Sequence, residues 1–136
     1  MRDRGFLPAS PKVNAIDLVK DHMHLPLLTI SENDTCEEAF ARMQKFDVSQ
    51  IPVINGAKEF VGSLSDNQLY AQLLKNREMM QAEVRTIMQS PFPIVKSETP
   101  IDEVSTLIHK ENSAVLVMDL GGNWHIITKY DIISAL

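Results

Sequence analysis

The sequence predicts a mixed α/β fold made of two similar units, each running strand, helix, strand, strand, helix. Three observations carry that expectation. The same order of features occurs twice along the chain, apolar residues recur at helical spacing behind each helix-start signal, and turn residues separate paired apolar runs.

The repeat emerges when the stretch from Val19 is set beside the stretch from Val84. Val19-Lys20-Asp21-His22-Met23 pairs with Val84-Arg85-Thr86-Ile87-Met88, and Pro26 pairs with Pro91. The apolar segment Leu27-Leu28-Thr29-Ile30 then matches Phe92-Pro93-Ile94-Val95 and reads as the first strand of each copy.

A helix start follows in both. Asp34-Thr35-Cys36-Glu37 and Thr99-Pro100-Ile101-Asp102 each offer a side-chain acceptor for the cap and a carboxylate three residues later. Pro100 takes the first helical position, where its missing N–H costs nothing. Cys36, Ala39, Phe40 and Met43 in one copy, and Ile101, Val104 and Ile108 in the other, mark the face each helix buries.

Next come the apolar runs Ile51-Pro52-Val53-Ile54 and Val115-Leu116-Val117-Met118. Asn55-Gly56 follows the first, and Asp119 to Asn123, with Gly121-Gly122, follows the second. Both are hairpin signals leading into strands at Phe60–Leu64 and Trp124–Ile127. Final helices open at Ser65 and Thr128, with Leu69 and Leu73, then Ile132, Ile133 and Leu136, facing the core. A copy of about 55 residues has a marginal core on its own, so the two are expected to work as a pair. The expected division is a linker over 1–16, a first repeat over 17–75 and a second over 76–136.

Composition narrows the function classes. The chain has 136 residues, of which 44% are hydrophobic and 23% charged, the profile of a folded domain. Its formal charge is −5, and its Lys and Arg residues form no run, so the basic face that nucleic acid requires is missing. No segment approaches the ~20 apolar residues of a membrane span. Cys36 is the single cysteine, so no internal disulfide is expected and a cytoplasmic setting is the simplest reading. Met1 to Leu7 holds no apolar stretch of signal-peptide length.

Other residues invite functional readings that their surroundings do not support. His22 and His24, two apart, point to different faces and lack a Cys or carboxylate set, so they read as surface residues rather than metal ligands. His109 and His125 read as packing or surface residues, with His125 near a dimer seam. Cys36 reads as an inert core thiol. Met79 and Met80 read as linker packing or a subunit contact. Paired carboxylates in a cleft, a His-activated nucleophile, a metal set and a Gly-rich phosphate loop are all missing, which argues against a stand-alone enzyme.

The Val-x-x-x-Met opener, the Pro after it, Ile51-Pro52-Val53-Ile54 and Thr128-Lys129-Tyr130-Asp131-Ile132 together resemble the CBS-domain family. The resemblance runs from about residue 17 to 136 and implies tandem repeats packed sheet to sheet with pseudo-twofold symmetry, the Bateman module. Met1-Arg2-Asp3-Arg4-Gly5-Phe6-Leu7 is also similar to the end of the catalytic domain in cystathionine β-synthases, and Trp124 to Asp131 is similar to bacterial members of that family. That implies a regulatory C-terminal piece of a pyridoxal-phosphate enzyme, with pyridoxal phosphate only in the upstream catalytic domain. An ordinary unstructured N-terminus accounts for the same seven residues.

The family resemblance also implies a ligand site. In CBS pairs the Thr-x-x-Asp motif clamps a ribose and phosphate, a role that carries over to Thr128 and Asp131. Ile126, Ile127 and Tyr130 would meet the adenine. From spacing alone Thr128-x-x-Asp131 is equally a capping box, and the two roles can coexist. Ser65-x-x-Gln68 replaces the carboxylate by a neutral amide and reads mainly as a capping box, so a single cleft is expected. Its opposite wall would come from Leu28, Val48, Ser49 and Gln50, with Val48 standing where the family often has an aromatic residue. S-adenosylmethionine, AMP and ATP all remain open as the ligand. A homodimer through the CBS helices is the expected assembly, and a purely structural assembly module, or a regulator of another enzyme or transporter, is the competing reading.

Overall fold

The computed structural model describes residues 13–136, so the expectations placed on Met1 to Leu7 lie outside the described residues. The chain divides into two compact units. One is contiguous, from Leu28 to Phe92, and the other joins the chain up to Leu27 with the chain from Pro93 onward.

The contiguous unit holds β1 (Ile30–Ser31), α1 (Cys36–Phe46), β2 (Gln50–Ile54), β3 (Phe60–Ser65) and α2 (Asp66–Lys75). β2 is central, parallel to β1 and antiparallel to β3. The second unit holds β4 (Ile94–Val95), α3 (Ile101–Leu107), β5 (Ala114–Met118), β6 (Trp124–Thr128) and α4 (Lys129–Ala135). Its sheet has the same order, with β5 central between parallel β4 and antiparallel β6. The mixed α/β class and the repeated element order expected from the sequence are both present.

Each core is built from the apolar residues its pattern supplies. Ile30, Ala39, Met43, Ile51, Val53, Leu64 and Val84 cluster in the contiguous unit. Ala15, Leu18, Val19, Val95, Val104, Val115, Val117 and Ile127 cluster in the other. The run Ala114 to Val117 is wholly buried, as expected of a central strand covered on both faces.

These clusters reveal an exchange that the sequence repeat conceals. The 3-10 helix Ala15–His22 precedes the first copy yet packs in the core of the second. Its backbone is stitched there, with Ala15 N–H donating to Thr99 O at 2.7 Å and Ile101 N–H donating to Val13 O at 2.9 Å. The matching segment before the second copy, with the 3-10 helix Val84–Thr86, closes the contiguous unit in the same way. Val84 N–H donates to Asp34 O at 2.8 Å and Cys36 N–H to Ala82 O at 2.9 Å.

Local signals are shifted by a residue or more in several places. Thr35, not Asp34, caps α1. Its hydroxyl accepts from Glu38 N–H, and the Glu38 carboxylate accepts from Thr35 N–H, while Asp34 turns back to accept from Ser31 N–H. Pro100 is itself the cap residue of α3 rather than its first helical residue, and no side chain caps that end, because its backbone is tied to the Ala15 segment instead. Ser65 does accept from Gln68 N–H, but the Gln68 side chain does not complete the box. It donates from Nε2 to Ile87 O at 2.5 Å.

Both hairpins form, through five-residue loops of one design. Asn55 N–H donates to Glu59 O and Asp119 N–H to Asn123 O. The Asn55 and Asp119 side-chain oxygens each accept two loop N–H groups, from Ala57 and Glu59 and from Gly121 and Asn123. The left-handed residue is Lys58 in the first loop, at φ 61°, and Gly122 in the second, at φ 84°. Gly56, singled out by the Asn-Gly signal, is not the left-handed position.

Three expected core residues lie outside. Phe40 is 37% exposed, Ile133 60% and Leu136 92%. In a helix of seven residues Ile132 alone reaches the cluster, leaving the α4 face bearing Tyr130 and Ile133 open within its own unit.

Candidate ligand site

The polar residues gathered at the start of α4 form the candidate site. β6 ends at Thr128, whose partner across the sheet is Ala114, and the chain turns there into the helix. Thr128 and Asp131 make a reciprocal capping box. The Thr128 hydroxyl accepts from Tyr130 N–H at 3.3 Å, and Asp131 Oδ2 accepts from Thr128 N–H at 2.8 Å, with the Thr128 hydroxyl 3.3 Å from the same oxygen. The second carboxylate oxygen, Oδ1, faces His22 Nε2 at 3.2 Å. A carboxylate only accepts, so the imidazole presents Nε2–H to it. His22 is thus half-buried and engaged by Asp131, not the plain surface residue its local sequence suggests.

The neighbouring apolar residues divide by strand alternation. Ile127 is fully buried in the core, so its side chain is committed to packing, while Ile126 lies half-buried on the opposite face. Tyr130 is 64% exposed, with Lys129 Nζ 5.4 Å from the centre of its ring.

A family model for the CBS domain matches residues 19–75 and again 84–136. The chain belongs to the CBS-domain family. It is a tandem CBS pair, a regulatory rather than a catalytic kind of module. Solved structures similar to this CBS pair share its fold. A CBS-domain containing protein from Agrobacterium tumefaciens is 16% identical with a TM-score of 0.79, covering 96% of this chain and 98% of that one. A putative signal-transduction protein with CBS domains from Burkholderia ambifaria is 20% identical with a TM-score of 0.78, covering 90% and 93%. CBSX2, solved in complex with AMP, is 22% identical with a TM-score of 0.62, covering 80% and 86%. A cystathionine β-synthase from Dictyostelium discoideum is 26% identical over 125 residues, 87% of this chain and 24% of that protein. The CBS pair therefore spans about a quarter of that relative.

The remaining expected site residues of the CBS pair sit in the contiguous unit. Leu28 and Val48 pack against its core, Ser49 is exposed, and Gln50 opens β2 opposite Ser65. Ser49 O accepts from Asp66 N–H at 2.9 Å, so Val48 to Gln50 run beside the start of α2.

Two residues with polar roles escaped sequence reasoning. His22 lies 109 residues from Asp131, and nothing local announces the pairing. His125, read from the sequence as a packing or surface residue, is 3% exposed and bonded through Nε2 to Asp119 Oδ2 at 2.8 Å. His109 is exposed and its ring accepts from Glu111 N–H. Cys36 is buried, and burial pushes its thiol up, away from the thiolate a nucleophile needs. Among the described residues no group of three or more His, Cys, Asp or Glu could hold a metal ion. No helix among them is long and apolar enough to cross a membrane.

Proposed function

We propose that this CBS pair senses an adenosine-containing metabolite and controls a linked pyridoxal-phosphate β-synthase of sulfur amino-acid metabolism. The observation that carries the reading is Asp131, a partly buried carboxylate held by Thr128 N–H at the first turn of α4. A carboxylate so oriented suits the hydroxyls of a ribose. Thr128, Asp131, Tyr130 and Ile126 would hold the ligand at the start of α4. The similarity to a protein solved with AMP and to a cystathionine β-synthase supports the ligand class and the linked enzyme respectively. S-adenosylmethionine, AMP and ATP share the adenosine moiety that this site would recognise.

A ligand acts on a linked domain only through its preference for one arrangement of the module over another. Thermal-shift titration with S-adenosylmethionine, AMP and ATP tests the reading. At a hundred times Kd a binder stabilises by about 2.7 kcal/mol, a shift of several degrees. Asp131→Ala should erase that response, and a wild-type chain indifferent to all three ligands would refute the proposal.

A second reading is favoured by exposed apolar side chains. Phe46, Tyr70 and Leu74 on α1 and α2, and Tyr130, Ile133 and Leu136 at the C-terminal end, are each more than half exposed. Helix faces of this kind suit a homodimer. Sedimentation of wild type and Asp131→Ala separates the readings, since assembly alone predicts no ligand dependence and an unchanged oligomer.

A further inference from the structure

The third residue of each final helix does the same job in both units. Gln68 follows its cap residue Ser65 by three positions, as Asp131 follows Thr128. Gln68 Nε2 donates to Ile87 O, and Asp131 Oδ1 accepts from His22 Nε2. Ile87 and His22 occupy one and the same place in the repeat, three residues beyond Val84 and Val19. Each final helix is therefore tied, by the same position, to the segment that leads into the other copy.

The two ties differ in how they can be broken. Gln68 Nε2 donates to a main-chain carbonyl, and its Oε1 is buried without a partner among the described residues. The His22–Asp131 tie is accessible, with the side chains 34% and 20% exposed. A carboxylate offers about four lone-pair positions. In Asp131, Thr128 N–H and the Thr128 hydroxyl lie on Oδ2, and His22 takes one position on Oδ1. That leaves one free, whereas a cis-diol donates two hydrogen bonds.

We infer that His22 is a latch on Asp131: it ties the leading segment Ala15–His22 to α4, and a vicinal diol bound at Asp131 opens it. This rests on the adenosine reading of the site and adds how occupancy would reach the rest of the chain. His22 closes the C-terminal end of the leading segment, whose Ala15, Leu18 and Val19 stay in the core, so loosening of the chain around His22 is the output. The equivalent tie at Gln68 offers a diol no carboxylate and stays in place.

The test uses the full chain with adenosine itself, which has the diol and no phosphate. Calorimetry should find His22→Ala binding about fivefold more tightly than wild type, the equivalent of a competing hydrogen bond of about 1 kcal/mol. Amide hydrogen exchange of wild type needs no substitution: saturating adenosine should lower protection over residues 20–25 about fivefold and leave residues 84–90 unchanged. Equal or weaker binding by His22→Ala, or unchanged exchange in the adenosine-bound wild type, overturns the latch and leaves the adenosine reading standing. Failure of both chains to bind adenosine overturns that reading and the ligand-operated latch with it.

Discussion

His125 Nε2 stands 2.8 Å from Asp119 Oδ2, pinning the second hairpin loop to the strand that leaves it. The His125 side chain is almost wholly buried. The imidazole beside Asp119 holds its carboxyl below the usual carboxylate range, helped by the N–H groups of Asn123 and Gly121. A carboxyl depressed in the folded state adds stability that is complete above its unfolded value and lost as pH falls through the folded one. As pH falls below the ordinary aspartate value of about 3.9, urea denaturation should therefore show a steeper loss for wild type than for Asp119→Asn. His125→Ala should cost about 2 kcal/mol at neutral pH, from the lost packing and hydrogen bond together.

Gly62 is fixed by a close approach. A Cβ there would run into the Met88 side chain and come to 3.0 Å from Gln89 O, where the segment before the second copy meets β3. Gly62→Ala should destabilise the chain by about 1–3 kcal/mol in urea melts, as overpacked positions do. Combining it with Met88→Ala should recover part of that loss. A Gly62→Ala chain as stable as wild type would contradict the packing.

The helix starts make a prediction by contrast. Thr35→Ala removes a side-chain cap and should cost about 1 kcal/mol, as should Thr128→Ala. Thr99→Ala should stay within about 0.5 kcal/mol, because α3 has no side-chain cap to lose. Denaturation of the three variants side by side checks the ranking.

The loop glycines make another. Gly122 adopts φ 84°, so Gly122→Ala should cost about 1–2 kcal/mol. Gly56 has open space around its Cβ position and is not left-handed, so Gly56→Ala should lie within about 0.5 kcal/mol of wild type. Thermal unfolding of the two variants distinguishes this loop from a two-residue Asn-Gly turn.

What could be read in advance was what lies close along the chain. Period and turn chemistry located α1, β2, β3 and their counterparts to within a residue or two, because caps and hairpins are settled over three to five positions. The Thr128–Asp131 box was readable for the same reason. His22–Asp131, Gly62–Met88 and His125–Asp119 were not, since each depends on which segments the tertiary fold brings together or on how a loop closes. Phe40 and Ile133 were misplaced because helical spacing shows that a face is apolar but not how much of it a short helix can cover.

The bonding of Val84 to Asp34 and of Ala15 to Thr99 bears on how such modules can be recombined. Excising residues 19–75 as a graft would sever α1 from the backbone partners supplied by Ala82 and Val84. A cut at Leu28 and Phe92 would keep one finished core, but the remainder would need its two loose ends rejoined. Shuffling of these modules between hosts therefore favours whole pairs, because a single repeat lifted out by its sequence boundaries takes the wrong neighbour's seam.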